Sequence, residues 1–339
     1  MKSRESGIDL LRCLGLLFVN GVHAFLYNGF YSEFQNNAMI WAADCFRWLF
    51  FGCNGLFMMI TGYLKSTKTP NKKYYRSLVP ILVGYFLTCV ITFPIRHFLL
   101  DEKLTLMEWL DKLINFANYG WYVEMYIGLF LIAPFLNLAM NALKTDKQLY
   151  LMAGTFVVLT ALPSVTSLSV IPDYWTSLYP ITYYIIGAVI RRLQPQIKPR
   201  YTLSATALLA MLLGLFTILT TNKGFSSGFG QGYGGFWITA MVTTLFLALY
   251  RLRIPQIPAR ILAWAAGGVF EGYICSRLFD VWVYDCFPRW HTPEKYILLF
   301  LCVTVPIFIV SILAGKLIHG IAEYICRTKQ PQVEKLTTK

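Results

Sequence analysis

The stretch "IDLLRCLGLLFVNGVHAF" (residues 8–25) decides how the rest of the chain is read. It is apolar enough to form most of a membrane-spanning helix, which needs about 20 such residues. It also carries three ionisable side chains, Asp9, Arg12 and His23. A charge at the centre of a bilayer costs about 2.5–3.5 kcal/mol on insertion scales. Arg12 and His23 are eleven residues apart. At 100° per residue that spacing returns to within about 20° of the same helical face, with a rise of about 16.5 Å. One stripe of the first helix therefore bears a guanidinium near one end and an imidazole near the other. Asp9, three residues before Arg12, is within reach of pairing with it. Such a stripe belongs against a bundle interior or a water-filled cavity rather than lipid. The segment is too long for the core of a cleaved signal peptide and lacks a small-residue cleavage site, so it is expected to remain as a helix.

Composition extends this reading to the whole chain. Of the 339 residues, 56% are hydrophobic and only 14% charged, where soluble domains carry about 25%. Ten apolar segments are long enough to be candidate spans: 8–28, 39–64, 77–99, 120–142, 149–168, 177–193, 202–221, 235–250, 259–283 and 296–318. The breaks "KSTKTPNKK" (65–73), "LKTDKQ" (143–148), "RRLQPQIKPR" (191–200) and "RLRIPQIPAR" (251–260) are short, basic and often proline-bearing, as helix-ending punctuation is. The expected fold class is an all-α integral membrane protein, a bundle of about ten transmembrane helices. It occupies residues 1–327, and a polar tail, 328–339, is expected to be disordered.

Orientation follows from the basic residues. Arg96, Lys103, Lys112, Lys223, Arg289 and Lys295 fall on one side of this layout, and Arg12, Arg47 and Arg277 fall within spans. The remaining 21 of the 30 Lys and Arg fall on the other side. That bias predicts that both termini are cytoplasmic and that the protein is a multi-pass protein of the cell membrane. It also accounts for the net charge of +13 without a nucleic-acid partner. On the outer side, "LTLMEWLDKLINF" (104–116) has its apolar residues at helical spacing, which predicts a short amphipathic helix at the membrane surface.

Several motifs lack the context that would give them meaning. "GQGYGG" (230–235) and "GFSSG" (224–228) match a dinucleotide fingerprint and a nucleophile elbow, but neither follows a strand. The eight cysteines include no Cys-x-x-Cys pair, so neither a zinc site nor a disulfide framework is indicated. No His, Cys or carboxylate lies three or four residues from His23, and no metal is expected there. Asp44 and Arg47 share a face of the second span and suit a structural pair, as does Asp280 in the ninth. Glu124 sits near the outer end of the fourth span. Glu271, deep in the ninth, has no basic residue at i+3 or i+4 and is the better candidate for chemistry.

Four stretches resemble, in order, the integral-membrane acyltransferase 3 family. "IDLLRCLGLLFVNGVH" (8–23) is similar to its opening helix, whose Arg and essential His stand eleven residues apart, as do Arg12 and His23. "CNGLFMMITGYL" (53–64) resembles its "FFxxSGYL" segment, with Thr61 where Ser is usual. "WYVEMYIGLFLIAPFLN" (121–137) resembles its "WYLxxxxxLYLLxPxL" helix, and "FEGYICSRLFD" (270–280) a late segment with Glu271 and Tyr273 in matching positions. Ser276 stands where many members have His, and Arg76 before Pro80 only approximates the family's arginines at the third span.

The resemblance implies transfer of an acyl group, commonly acetyl, from cytoplasmic acyl-CoA to a hydroxyl of a glycan or lipid-linked sugar on the outer side. His23 would act as general base, since its pKa lies near working pH. Glu271 would orient or charge-stabilise it. Arg12 would hold the donor's polar groups or the Asp9 carboxylate, with Arg76 a second donor contact. The loops 65–76 and 191–200 would meet the CoA phosphates. Trp121, Tyr122 and Glu124 would contact the acceptor. Acyl-CoA is a substrate here; no permanently bound cofactor is expected, and the oligomeric state is left open. A transporter or flippase of lipid-linked sugar is the alternative, because buried charges on one stripe can also line a permeation path.

Overall fold

A computed structural model describes residues 5–27, 30, 38–99, 103, 105–165, 171–220, 232–286 and 300–336. Among these residues all regular structure is helical. The first helix, α1 (Ser6–Tyr27), is unbroken. The second expected span is two helices, α2 (Ala38–Phe51) and α3 (Cys53–Lys65). They part at Gly52, whose N–H bonds back to Leu49 O at 3.2 Å, a tightened turn. A short α4 (Lys72–Arg76) is capped by Asn71, whose side chain accepts from the Tyr74 N–H. It precedes α5 (Val79–Leu99).

The expected surface helix is α6 (Leu106–Ile114), opened by a reciprocal capping box between Thr105 and Glu108. Its exposed apolar residues, Leu106, Leu110 and Ile114, form one stripe at i+4 spacing, the face a membrane surface would receive. Then α7 (Phe116–Ala142) bends at Gly120. The next apolar segment gives only α8 (Asp146–Thr160), which ends in a 3-10 turn at Leu162–Ser164, where Pro163 has no N–H to continue the helix. There follow α9 (Tyr179–Leu193), α10 (Pro199–Thr220) and α11 (Phe236–Leu249). The ninth expected span is divided into α12 (Gln256–Ala266) and α13 (Val269–Cys286) by the consecutive Gly267 and Gly268. A π-helical turn, Phe300–Thr304, leads into α14 (Val305–Leu336), which continues into the polar segment beyond Arg327.

Five helical segments are long and apolar enough to cross a membrane: Ser6–Tyr27, Lys72–Phe98, Gly120–Ala142, Pro199–Leu219 and Phe300–Cys326. The helices at the other expected span positions are shorter or broken. Outward faces repeat at helical spacing: Leu131, Phe135 and Leu138 on α7, Leu208, Leu212, Leu215 and Leu219 on α10, and Ile309, Leu313 and Leu317 on α14 are all exposed. Leucine rows facing outward are what a bilayer, rather than water, accommodates. The motif at 224–228 lies outside the described residues, and of that at 230–235 only 232–235 are described.

Polar groups inside the bundle pair both within one helix and between helices. Asp44 is fully buried and bonds to Arg47 Nε, while Trp48 Nε1 donates to Asp44 Oδ2 at 3.0 Å and to Thr217 Oγ1 at 2.8 Å. Glycines set the closest helix crossings. On α14, a β-carbon at Gly315 would strike the Gly268 carbonyl and the Gly272 backbone. Small residues of this kind let membrane helices approach until their backbones touch. That approach fixes the register of α13 against α14, and with it the site described next.

Candidate active site

A cavity of about 490 Å³ opens near the end of the bundle that bears residue 5. Seven helices contribute to its wall: Arg12 from α1, Thr61 and Lys65 from α3, Pro80 from α5, Tyr122 and Tyr126 from α7, Ala266 from α12, Glu271 and Tyr273 from α13, and His319 and Glu323 from α14. The rest of the wall is apolar or aromatic, as in Phe57, Ile60 and Phe270. Such a lining, with a few converging polar groups, is the usual character of a small-molecule site.

Each charged group has a local reason for its place. Arg12, one-third exposed, lies 3.7 Å from the buried Asp9 carboxylate. Lys65 ends α3 and rests over the Phe130 ring at 4.6 Å and the Tyr74 ring at 5.4 Å. Its ammonium feels the positive charges of Lys68 and Arg12, so this part of the wall is a basic patch. Asn137 pins the turn that follows, donating to Lys65 O at 2.8 Å and Lys68 O at 2.7 Å. Glu271 is 3% exposed, and its Oε1 lies 2.9 Å from His319 Nδ1. Where the carboxylate is ionised it can only accept, and Nδ1 then carries the proton of that bond. The other imidazole nitrogen, Nε2, lies 3.5 Å from Glu323 Oε1. Gly84 on α5 makes room for this carboxylate, since a β-carbon there would stand 2.8 Å from Oε1.

The residues singled out from sequence fall in different places. Arg12, Glu271 and Tyr122 meet in the cavity wall. His23 does not line it: the ring is half-buried near the far end of α1, edge-on to Tyr27 with centroids 5.8 Å apart. Gly272 packs against Leu16 of α1 and Ser311 of α14 so closely that a β-carbon would touch both. Leu16 is seven residues short of His23, about 10.5 Å of helical rise. The structure thus sets Glu271 beside the Arg12 end of α1 and gives it His319 as a partner. Trp121 and Tyr122 diverge. Tyr122 is buried in the cavity wall, its ring 5.6 Å from that of Tyr273. Trp121 is 38% exposed and lies 5.4 Å from Tyr233, which stacks on Phe51 at 4.2 Å. Glu124 is exposed and outside the cavity, and Arg76 is exposed on α4, four residues before the cavity-lining Pro80. The side chain of Asp280 lies outside the described residues.

His319 was missed in the sequence because it stands one residue past the last apolar segment, where a polar residue reads as the start of a tail. The available signal was Gly315 one turn before it, a small residue able to draw that turn against another helix.

A family model described as an acyltransferase domain matches residues 5–316. The chain belongs to the acyltransferase 3 family. No curated protein and no solved structure matches it significantly. The match takes in α1 with Arg12 and His23, the basic patch and Glu271. The family and the apolar helices together make this a membrane acyltransferase. His319 lies three residues beyond the matched range.

Proposed function

We propose that this acyltransferase moves an acyl group, acetyl in the first instance, from cytoplasmic acyl-CoA to a hydroxyl of an extracytoplasmic glycan or lipid-linked sugar. The observation that carries this reading is the cavity near residue 5, where Arg12 and Lys65 face a largely apolar interior. The Lys- and Arg-rich loops at the same end suit a polyanionic donor, and the apolar depth suits a slender arm carrying a thioester. His23, about 16.5 Å farther along α1, is the base placed for an acceptor arriving from the opposite side.

In the proposed reaction the imidazole of His23 takes the proton of the acceptor hydroxyl. The freed oxygen attacks the thioester carbonyl, a C–O bond forms, the C–S bond breaks, and the CoA thiolate leaves and takes up the proton that His23 had accepted. Bringing both reactants to one place converts a two-body encounter into an intramolecular step, which is where much of an enzyme's rate comes from. Arg12 and Lys65 anchor the donor, and Trp121, with Tyr233 beside it, offers an aromatic face to a sugar.

The test is transfer of label from [acetyl-¹⁴C]acetyl-CoA to glycan by the purified protein in detergent. Incorporation is expected, and His23→Ala should abolish it while the variant stays monodisperse. A transporter would incorporate nothing. Full activity in His23→Ala would remove His23 from the base role.

A further inference from the structure

Glu271 is left with half of its carboxylate unmet. Oε1 is held by His319, but Oε2 is buried and has no hydrogen-bond partner among the described residues. A buried carboxyl oxygen without a partner is costly to keep. Thr61, one hydroxyl donor on the wall, spends its hydroxyl on Phe57 O at 2.8 Å. Glu271 lines the cavity, and its buried Oε2 is an acceptor that the wall does not satisfy.

The chemistry of the wall restricts what can satisfy it. Besides Glu271 the charged groups facing the cavity are Arg12, Lys65, His319 and Glu323. Glu271 and Glu323 together disfavour a phosphate at the His319 side, so anionic groups belong at Arg12 and Lys65. The rest of the wall is apolar and aromatic, which a bare ammonium would not favour. A group that donates an N–H yet is uncharged, carried on a mostly apolar chain, meets all three conditions. A secondary amide is such a group, and the arm of a CoA thioester carries two.

We propose that Glu271 and His319 form the amide-recognition pair of the donor cavity: His319 Nδ1–H holds Oε1 in place, and Oε2 accepts an amide N–H from the thioester-bearing arm. His319 is then a positioning residue acting through Glu271, and Glu271 is the group that touches substrate. The close α13–α14 crossing at Gly272 and Gly315 brings the two into register, with His319 one turn beyond Gly315. This assignment rests on the donor being an acyl thioester of CoA.

The test compares two acetyl donors, S-acetylpantetheine and an S-acetyl alkanethiol of matched length that has no amide. Thiol release is followed with the purified full-length protein and the glycan of the transfer assay as acceptor, and the readout is the ratio of kcat/KM for the two. Wild type should favour the amide-bearing donor. Glu271→Gln and His319→Ala should each lower that ratio about tenfold or more, the loss expected for a hydrogen bond to a charged group, mainly through KM. His319→Asn, whose side-chain amide can replace the Nδ1–H donor, should recover part of it. Because each variant is its own reference, reduced yield or a general loss of activity does not imitate the result. Equal ratios in wild type and all variants would overturn the pair while leaving the acyltransferase reading intact. Thiol release by wild type from neither donor, nor from acetyl-CoA, would overturn the donor assignment and the pair with it.

Discussion

Asp44 shows what a single buried residue contributes here. Its carboxylate is fully enclosed and shared between Arg47 and Trp48, and Trp48 ties it onward to Thr217 on α10. Removing one member of a buried ion pair leaves the other charged and desolvated, which costs about 3–5 kcal/mol. Asp44→Ala is therefore expected to lower the thermal unfolding temperature in detergent by many degrees, and an unchanged melting curve would show that Arg47 is satisfied without it. This pair, and that of Asp9 with Arg12, could be read in the sequence because each spans three residues of one helix. The bond between Glu271 and His319 joins residues 48 positions apart. No local spacing announces it.

At the scale of the element, the α13–α14 crossing carries the site. Gly272 and Gly315 have no room for a β-carbon, whereas Gly128 on α7 meets nothing within 4 Å. Gly315→Val should force the two helices apart, with a cost of about 1–3 kcal/mol from overpacking, and should separate His319 from Glu271. Transfer from acetyl-CoA is expected to fall further than the melting temperature indicates, while Gly128→Ala should leave both near wild type. Retained transfer in Gly315→Val would mean that this crossing does not set the site. The breaks at Gly52 and at Gly267–Gly268 belong to the same scale. Hydropathy runs straight through them, because glycine in an apolar run does not interrupt the pattern, and only the packed neighbours show where the backbone turns.

For the whole molecule, the charge bias makes a claim about sidedness that labelling can examine. In a background with the native cysteines replaced, Lys68→Cys and Lys147→Cys should react with a membrane-impermeant maleimide only from the cytoplasmic side, and Lys103→Cys only from outside. Labelling of Lys103 and Lys68 from one side would invert or redraw the layout. The sequence by itself determined that the chain is helical, the shared face of Arg12 and His23 on α1, the i,i+3 ion pairs and the short amphipathic helix α6, since each depends on periodicity or spacing within one helix. It did not determine which helices become neighbours. In lipid the outer and inner faces are both apolar, so hydrophobicity does not choose between partners, and close packing of small residues does. Only the tertiary structure therefore decided that Tyr122 turns into the cavity while Trp121 turns away, that Glu271 stands beside the Arg12 end of α1, and that a histidine from the last helix completes its hydrogen bond.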